Sequence, residues 1–363
     1  MSAPSKNALR PGSVIGVLGN GQLGRMMALA AAPLGYRVHI YDPAPGPATQ
    51  VTPLFTAGAW NDEDALSAFA DAVDVVTWEF ENVPAQTARH LATRVLVRPG
   101  VDVLATCQHR VSEKTFFGQA AVPTNAWRAA STAAEAAAAA AELGAVVLKT
   151  ARSGYDGRGQ ARASDPAGAA AAFERLALGQ PLECIVEALV PFVAEASVIV
   201  ARDVHGAVAT YDLCWNVHRD HILHTTTVPA PFGPATHAAA RDIATRIAER
   251  FDLVGLLAVE LFLLADGSLL VNELAPRPHN SGHWTIDATV CSQFEQTIRA
   301  VAGLPLGPTT RTWDVEMTNL LGDDVLAAPS LLADPAARVH LYGKAEPRPK
   351  RKMGHVTRLL QRA

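Results

Sequence analysis

Apolar runs alternate with helix-length stretches over the early part of the chain. Val14-Ile15-Gly16-Val17-Leu18 reads as a buried strand, then comes Gly19-Asn20-Gly21-Gln22-Leu23-Gly24, and Arg25 to Leu34 is helix-like. Val38-His39-Ile40-Tyr41-Asp42 is a second strand, and Val73 to Trp78 a third that feeds Glu79-Phe80-Glu81-Asn82. Strands apolar on both faces and separated by helices are what a parallel, doubly wound sheet requires. Residues 1–110 are therefore predicted to form a Rossmann-like α/β domain.

The pattern changes after Val111. Thr132-Ala133-Ala134-Glu135 has capping-box spacing and opens an alanine-rich helix that Gly144 stops. The strand Val146-Val147-Leu148, a glycine-rich segment, a second alanine-rich helix around Ala167 to Leu178 and the strand Cys184-Ile185-Val186-Glu187 complete an α+β unit at 111–192. From Ala196 onward the runs pair as hairpins: Ser197 to Ala201 with Val208 to Tyr211, and Leu256 to Leu264 with Leu269 to Leu274. They predict a third unit, 193–363, built on antiparallel strands.

At 363 residues with 49% hydrophobic and 18% charged positions, the chain suits a soluble enzyme of two or three domains. A net charge of −4 gives no global attraction to nucleic acid, so an anion site must be local. The four cysteines are scattered without a CxxC pair, which suits a reducing compartment. No apolar run approaches the ~20 residues of a membrane span, and the first residues lack a signal-peptide core. A cytoplasmic location is expected.

Four segments carry chemistry. Lys149 to Gln160 packs three glycines, two arginines and a lysine behind a strand, as a lid over a polyphosphate would. Gly19 to Gly24 fits GxGxxG, with Asp42 ending the next strand; such a loop takes a dinucleotide or a substrate phosphate. Asp266-Gly267 favours a two-residue type I′ turn, which places Glu260 directly opposite Glu273, Cβ atoms ~5 Å apart. Facing like charges on apolar strands destabilise the sheet, and a bound Mg²⁺ removes that penalty. The polar run Asn272 to His283 follows at once and suits oxyanion handling. Lastly, Lys344, Arg348, Lys350, Arg351 and Lys352 crowd a segment bounded by strand-like runs, more in keeping with a phosphate grip than with a solvated tail.

The lid Gly154-Tyr155-Asp156-Gly157-Arg158-Gly159-Gln160, the carboxylate pair and the Asn272-to-His283 run resemble the ATP-grasp superfamily. Together with Gly19-to-Met26 and Lys344…Arg351-Lys352-Met353-Gly354-His355, they resemble its N5-carboxyaminoimidazole ribonucleotide synthetase family over nearly the whole chain. That resemblance implies a Rossmann-like domain followed by two α+β grasping domains. The implied activity is ATP-dependent carboxylation of 5-aminoimidazole ribonucleotide with bicarbonate, via carboxyphosphate, in purine biosynthesis. Its cofactors would be ATP and Mg²⁺ (or Mn²⁺), its partners small molecules rather than nucleic acid or membrane, and its assembly a homodimer.

Residue by residue, the resemblance places Arg110, Lys149 and Gly154 to Gln160 on the ATP phosphates. Glu187, Ala188, Leu189 and Val190 would hold adenine by backbone bonds, with Glu195 on the ribose and His218 at the nucleotide. Glu260 and Glu273 would bind the metal beside Asn272. Arg277, His279 and Asn280, with Asp156 and Arg158, would serve catalysis on bicarbonate and carboxyphosphate. Gln22, Leu23, Glu79, Tyr155, Arg158, Lys344 and Arg351 would surround the ribonucleotide. One departure stands out: Leu213-Cys214-Trp215-Asn216 lacks the Glu that the family carries near that asparagine, which leaves the role of Asn216 open. Two alternatives remain, another ATP-grasp ligase such as a formate-dependent glycinamide ribonucleotide transformylase, and an NAD-dependent oxidoreductase built on Gly19 to Gly24 and Asp42.

Overall fold

The strands Leu54–Ala57, Arg37–Asp42, Val14–Leu18, Val75–Trp78 and Leu96–Val97 lie side by side in that order, all parallel, in a computed structural model that describes residues 8–152 and 159–362. Ile15, Val17, Ile40, Val75 and Val76 are fully buried, which is why these runs are apolar throughout instead of alternating. Chain order reverses between Val14–Leu18 and Val75–Trp78. In such sheets the crevice beyond the carboxyl ends of those two strands is where ligands sit. The late helix Gln293–Val301 supplies Phe294, Ile298 and Val301 to this domain's core, so the C-terminal unit closes one face of the N-terminal sheet.

A four-stranded antiparallel sheet follows, in the order Trp127–Ala130, Cys184–Ala188, Val146–Thr150, Gln160–Ala163. Two alanine-rich helices, Ala133–Leu143 and Pro166–Ala177, cover it. Thr132 accepts from the Glu135 N–H at 3.2 Å, and the Glu135 carboxylate reaches back to the Ser131 N–H at 2.6 Å, one residue beyond the usual box partner. Gly144, at φ +79, ends the first of these helices.

The third sheet is antiparallel and holds the strands from Ala194 to Arg362. Gly255–Leu263 lies between Ala194–Arg202 and Leu269–Ala275, and Trp313–Leu321 pairs with Lys352–Arg362. Helix Pro234–Arg250 packs Ile243, Ala244 and Ile247 against Val198, Val200, Leu257 and Val259. Among the described residues no helix is long and apolar enough to cross a membrane.

The hairpin at Asp266-Gly267 differs from its prediction in an informative way. Leu264 donates to Ser268, so the turn holds three residues and not two, and Leu263, Phe262 and Leu261 face Leu269, Leu270 and Val271. That offset alone would place Glu260 opposite Asn272. A bulge at Asn272 absorbs the extra position, and Glu260 faces Glu273 after all.

Candidate active site

Two cavities open where the three sheets meet. One, of about 430 Å³, lies at the switch point of the parallel sheet, with Gln22, Leu23, Glu79, Glu81 and Arg277 in its wall. The other, of about 620 Å³, runs between the two antiparallel sheets past Lys149, Gln160, Glu187 to Val190, Glu195, His218 and Asn272. Arg110, Glu260, Glu273, His279, Asn280 and Lys352 belong to both walls. The two spaces thus meet at the carboxylate pair.

The pair is not left to repel. Arg110, first residue of the helix Arg110–Gln119, reaches Glu273 at 2.8 Å, and the His279 Nε2 lies 3.1 Å from Glu260. Burial pushes the Glu260 pKa up, but the His279, His218 and Arg277 charges win and hold it at about 2. The expected electrostatic penalty is therefore already offset inside the protein. The bulge matters here, because it turns Asn272 and Glu273 toward the same space as Glu260. The Asn272 Oδ1 is buried with no donor against it. Two carboxylates and an unsatisfied amide oxygen facing one space are the donor set a hard divalent cation takes.

In the larger cleft, the Glu187 carboxylate is buried between Lys149 at 2.6 Å and Lys114 at 2.9 Å. Burial opposes its charge, yet the two ammonium groups hold its pKa at about 2. Lys114 also donates to Thr124 and Asn125, at 2.7 and 2.8 Å, so it anchors this wall. The Ala188 and Leu189 N–H groups are spent on the Ala126 and Ala145 carbonyls, and the Ala188 carbonyl accepts from Asn125. Those two N–H groups are spent within the protein, while the Ala188 carbonyl keeps a second lone pair. Glu195 accepts from the His218 Nδ1 at 2.8 Å; burial lowers the His218 pKa, and the Glu195 bond and charge more than restore it.

In the smaller cavity, the glycine loop has an occupant. The Glu79 carboxylate accepts from the Gly21 N–H at 2.6 Å and the Gly24 N–H at 2.9 Å. A Cβ on Gly19 or Gly21 would run into that side chain. The glycines admit a carboxylate of the protein itself, which takes the Gly21 and Gly24 N–H groups that a bound anion would otherwise use. Arg277 is buried against Glu81, and the Trp78 indole donates to the Pro276 carbonyl at 2.9 Å, docking this loop on the parallel sheet. The Asn280 and Asn319 amides bond each other reciprocally at 2.9 and 2.6 Å.

The basic segment folds back on the N-terminal domain through a Gln50 bond to the Gly343 carbonyl. Of the cations, Lys352 reaches the shared wall, while the Lys344 Nζ donates to the Lys352 carbonyl at 2.7 Å and Arg351 to that of Glu346 at 3.0 Å. Burial, with Arg351 and Lys352 nearby, pushes the Lys344 pKa down to about 8 although Glu79 opposes this.

Sequence comparison accounts for this architecture. Residues 13–108 match the ribonucleotide synthetase preATP-grasp domain, 115–294 the ATP-grasp domain, and 316–363 the phosphoribosylaminoimidazole carboxylase C-terminal domain. The chain is 48% identical to an N5-carboxyaminoimidazole ribonucleotide synthase of Brucella melitensis biotype 1, over 98% of this chain and 99% of that one. It belongs to the N5-carboxyaminoimidazole ribonucleotide synthase family. A solved ADP complex of a synthetase of this family superposes with TM-score 0.93 at 40% identity, covering 98% of this chain and 94% of that one. A synthase from Aspergillus clavatus, solved with ADP and 5-aminoimidazole ribonucleotide, superposes with TM-score 0.89 at 32% identity, over 97% and 94% of the two chains.

Within the synthase fold, the sheet whose strands run from Ala194 to Arg362 carries both the end of the ATP-grasp match and the C-terminal match, so one structural layer spans two sequence families. Of the expected site residues, Gln22, Leu23, Glu79, Arg110, Lys149, Gln160, Glu187 to Val190, Glu195, His218, Glu260, Asn272, Glu273, Arg277, His279 and Asn280 line one cavity or both. The Gly159 carbonyl accepts from the Thr150 N–H. Gly154, Tyr155, Asp156, Gly157 and Arg158 lie outside the described residues. Glu81, Lys114 and Lys352 line or support the cavities without having been assigned a role. Glu81 left a signal as the second acid after a buried strand and Lys352 as a member of the basic segment, whereas Lys114 left none.

Proposed function

We propose that the chain carries out the reaction its relatives are named for. ATP, bicarbonate and 5-aminoimidazole ribonucleotide give N5-carboxyaminoimidazole ribonucleotide, ADP and phosphate. One observation carries this reading: two ligand-sized cavities share a wall, and that wall holds the carboxylate pair. A nucleotide along the larger cleft, past Glu195 and Lys149, ends its phosphates at Glu260 and Glu273. A ribonucleotide in the smaller cavity brings its amine to the same place.

Glu260, Glu273 and Asn272 fit Mg²⁺, which when bound neutralises charge on the β- and γ-phosphates. A bicarbonate oxygen attacks the γ-phosphorus and ADP departs, leaving carboxyphosphate. The exocyclic amine then bonds to the carboxyl carbon as the C–O bond to phosphate breaks, and the nitrogen loses a proton. Phosphorylation is needed because hydroxide is a poor leaving group and phosphate a good one. Arg277, fixed by Glu81, stabilises the oxyanions from the ribonucleotide side. Lys352, with Lys344 and Arg351 behind it, supplies positive potential for the ribonucleotide phosphate. The four cysteines are all free, in keeping with a reducing cytoplasm.

ADP release should require both aminoimidazole ribonucleotide and bicarbonate, and should be absent with glycinamide ribonucleotide and formate. Release with the latter pair alone would replace this reading by a transformylase.

A further inference from the structure

The strands Ala337–Leu341 and Lys352–Arg362 pair so that His340 lies directly opposite His355, with ring centres 4.7 Å apart. Asp287, on the short helix Thr285–Ala288 that follows the Asn272-to-His283 run, places its Oδ2 2.8 Å from the His340 Nε2. One ligating atom from each of Asp287, His340 and His355 falls within 4.8 Å of the other two. None of the three residues lines either cavity. The cluster is separate from the carboxylate pair, and the proposed reaction makes no use of it.

His355 carries the observation that calls for a ligand. Its ring is completely buried, Nδ1 is 2.9 Å from the Tyr342 hydroxyl, and Nε2 is buried without a partner. A buried polar atom left unpaired is destabilising, and a bound ion removes that penalty. Ligating imidazoles are oriented in this way, one nitrogen on the metal and the other on an outer partner such as Tyr342. Two imidazoles on one tetrahedral ion put their ring centres about 5 Å apart, close to the separation of His340 and His355. The Asp287–His340 contact needs to open by only about half an ångström to admit the ion. His340 keeps 30% of its side chain exposed, which gives it room to move and gives the ion a route in. Two imidazoles with one carboxylate suit Zn²⁺ over Mg²⁺, whereas the all-oxygen set of Glu260, Glu273 and Asn272 suits Mg²⁺.

We propose that Asp287, His340 and His355 form a second metal site, one that takes Zn²⁺ with water in the fourth position and ties the C-terminal strands to the segment after the active-site loop. Asp287 belongs to the ATP-grasp match and both histidines to the C-terminal match, so the ion joins the two. His355 also lies opposite Asn319, which bonds Asn280 in the wall common to both cavities. The role of the site is structural, one strand away from the chemistry. It holds whatever reaction the chain catalyses.

Zinc titration of the EDTA-stripped full-length chain, read by competition with a chromophoric chelator, tests this. One equivalent should bind with a dissociation constant below about 1 µM, and Co²⁺ in its place should give the visible absorption of a tetrahedral ion. His355 is too buried to substitute cleanly, so the test is placed at part-exposed His340. His340→Ala should weaken zinc binding by more than about 100-fold, beyond what loss of an outer partner costs, and should leave Mg²⁺-dependent turnover in zinc-free buffer unchanged. Asp287→Ala, a second removal of one ligand, should show the same loss of zinc. Glu273→Gln should keep the equivalent. Zinc binding that survives in both folded ligand variants, or that disappears in Glu273→Gln, puts the ion at the carboxylate pair and overturns the proposal. A wild-type chain that takes up no zinc at that affinity overturns it as well, leaving Asp287 and His340 a simple ion pair.

Discussion

The Glu79 carboxylate lies inside the glycine loop, 2.6 Å from the Gly21 N–H, and occupies the place where an anionic ligand would be expected. Burial raises its pKa, and the bonds from Gly24 and Gly21 and the charge of Arg277 oppose that rise. The protein thus fills its own anion site and makes that carboxylate part of the smaller cavity's wall.

Gly21→Ala tests this. Gly21 has an ordinary extended backbone (φ −90, ψ −165), so the added methyl costs nothing there and acts only by displacing Glu79. The kcat/KM for the ribonucleotide should fall about tenfold or more, from the loss of a charged hydrogen bond of roughly 1.5–3 kcal/mol. The KM for ATP should hold, and equal changes in both constants would contradict the placement of Glu79.

Glu273→Gln should reduce turnover more than about 100-fold, since several kcal/mol of charge stabilisation on the phosphates is lost. Without metal, the variant should melt at or below the wild-type temperature, because Glu273 is paired with Arg110 and not merely repelled by Glu260. A clear rise in melting temperature would restore the simple repulsion argument.

His283 and His355 are fully buried, and burial, with other histidines close by, holds both pKa values well below the ordinary range. The folded chain leaves them neutral where the unfolded chain protonates them. As pH falls below about 6.5, the unfolded state binds more protons and stability is lost, by up to about 2.7 kcal/mol per pH unit for two groups at ~1.36 each. Urea unfolding at pH 7, 6 and 5 measures this above the range in which carboxylates titrate. Flat stability over that window would mean the rings protonate in place.

Lys344, with its pKa near 8, loses charge in mildly alkaline solution. The KM for the ribonucleotide should therefore climb between pH 8 and 9.5 by several-fold, and Lys344→Arg, charged throughout, should flatten the climb. An identical climb in that variant would place the titration elsewhere.

The residues show what could be read without coordinates. Alternation and capping signals are local, so the three sheets and both alanine-rich helices were legible. Glu260 opposite Glu273 was reached through an assumed two-residue turn; the actual turn is one residue longer and the Asn272 bulge cancels the difference. The glycine spacing was legible but its occupant was not, because Glu79 arrives from a distant strand and nothing in a GxGxxG run says which anion fills it. Lys114 on Glu187 and Asp287 on His340 depend on contacts between elements far apart in the chain, where periodicity carries no information.

The wall common to both cavities has a thermodynamic consequence. Arg110, Glu260, Glu273, His279, Asn280 and Lys352 cannot be assigned to one ligand, so a bound nucleotide alters the surface the ribonucleotide meets. Whatever factor ADP imposes on ribonucleotide affinity, the ribonucleotide must return to ADP unchanged, because binding linkage is reciprocal. Where that factor differs from one, the apparent dissociation constant of each depends on the concentration of the other, and neither can be quoted alone.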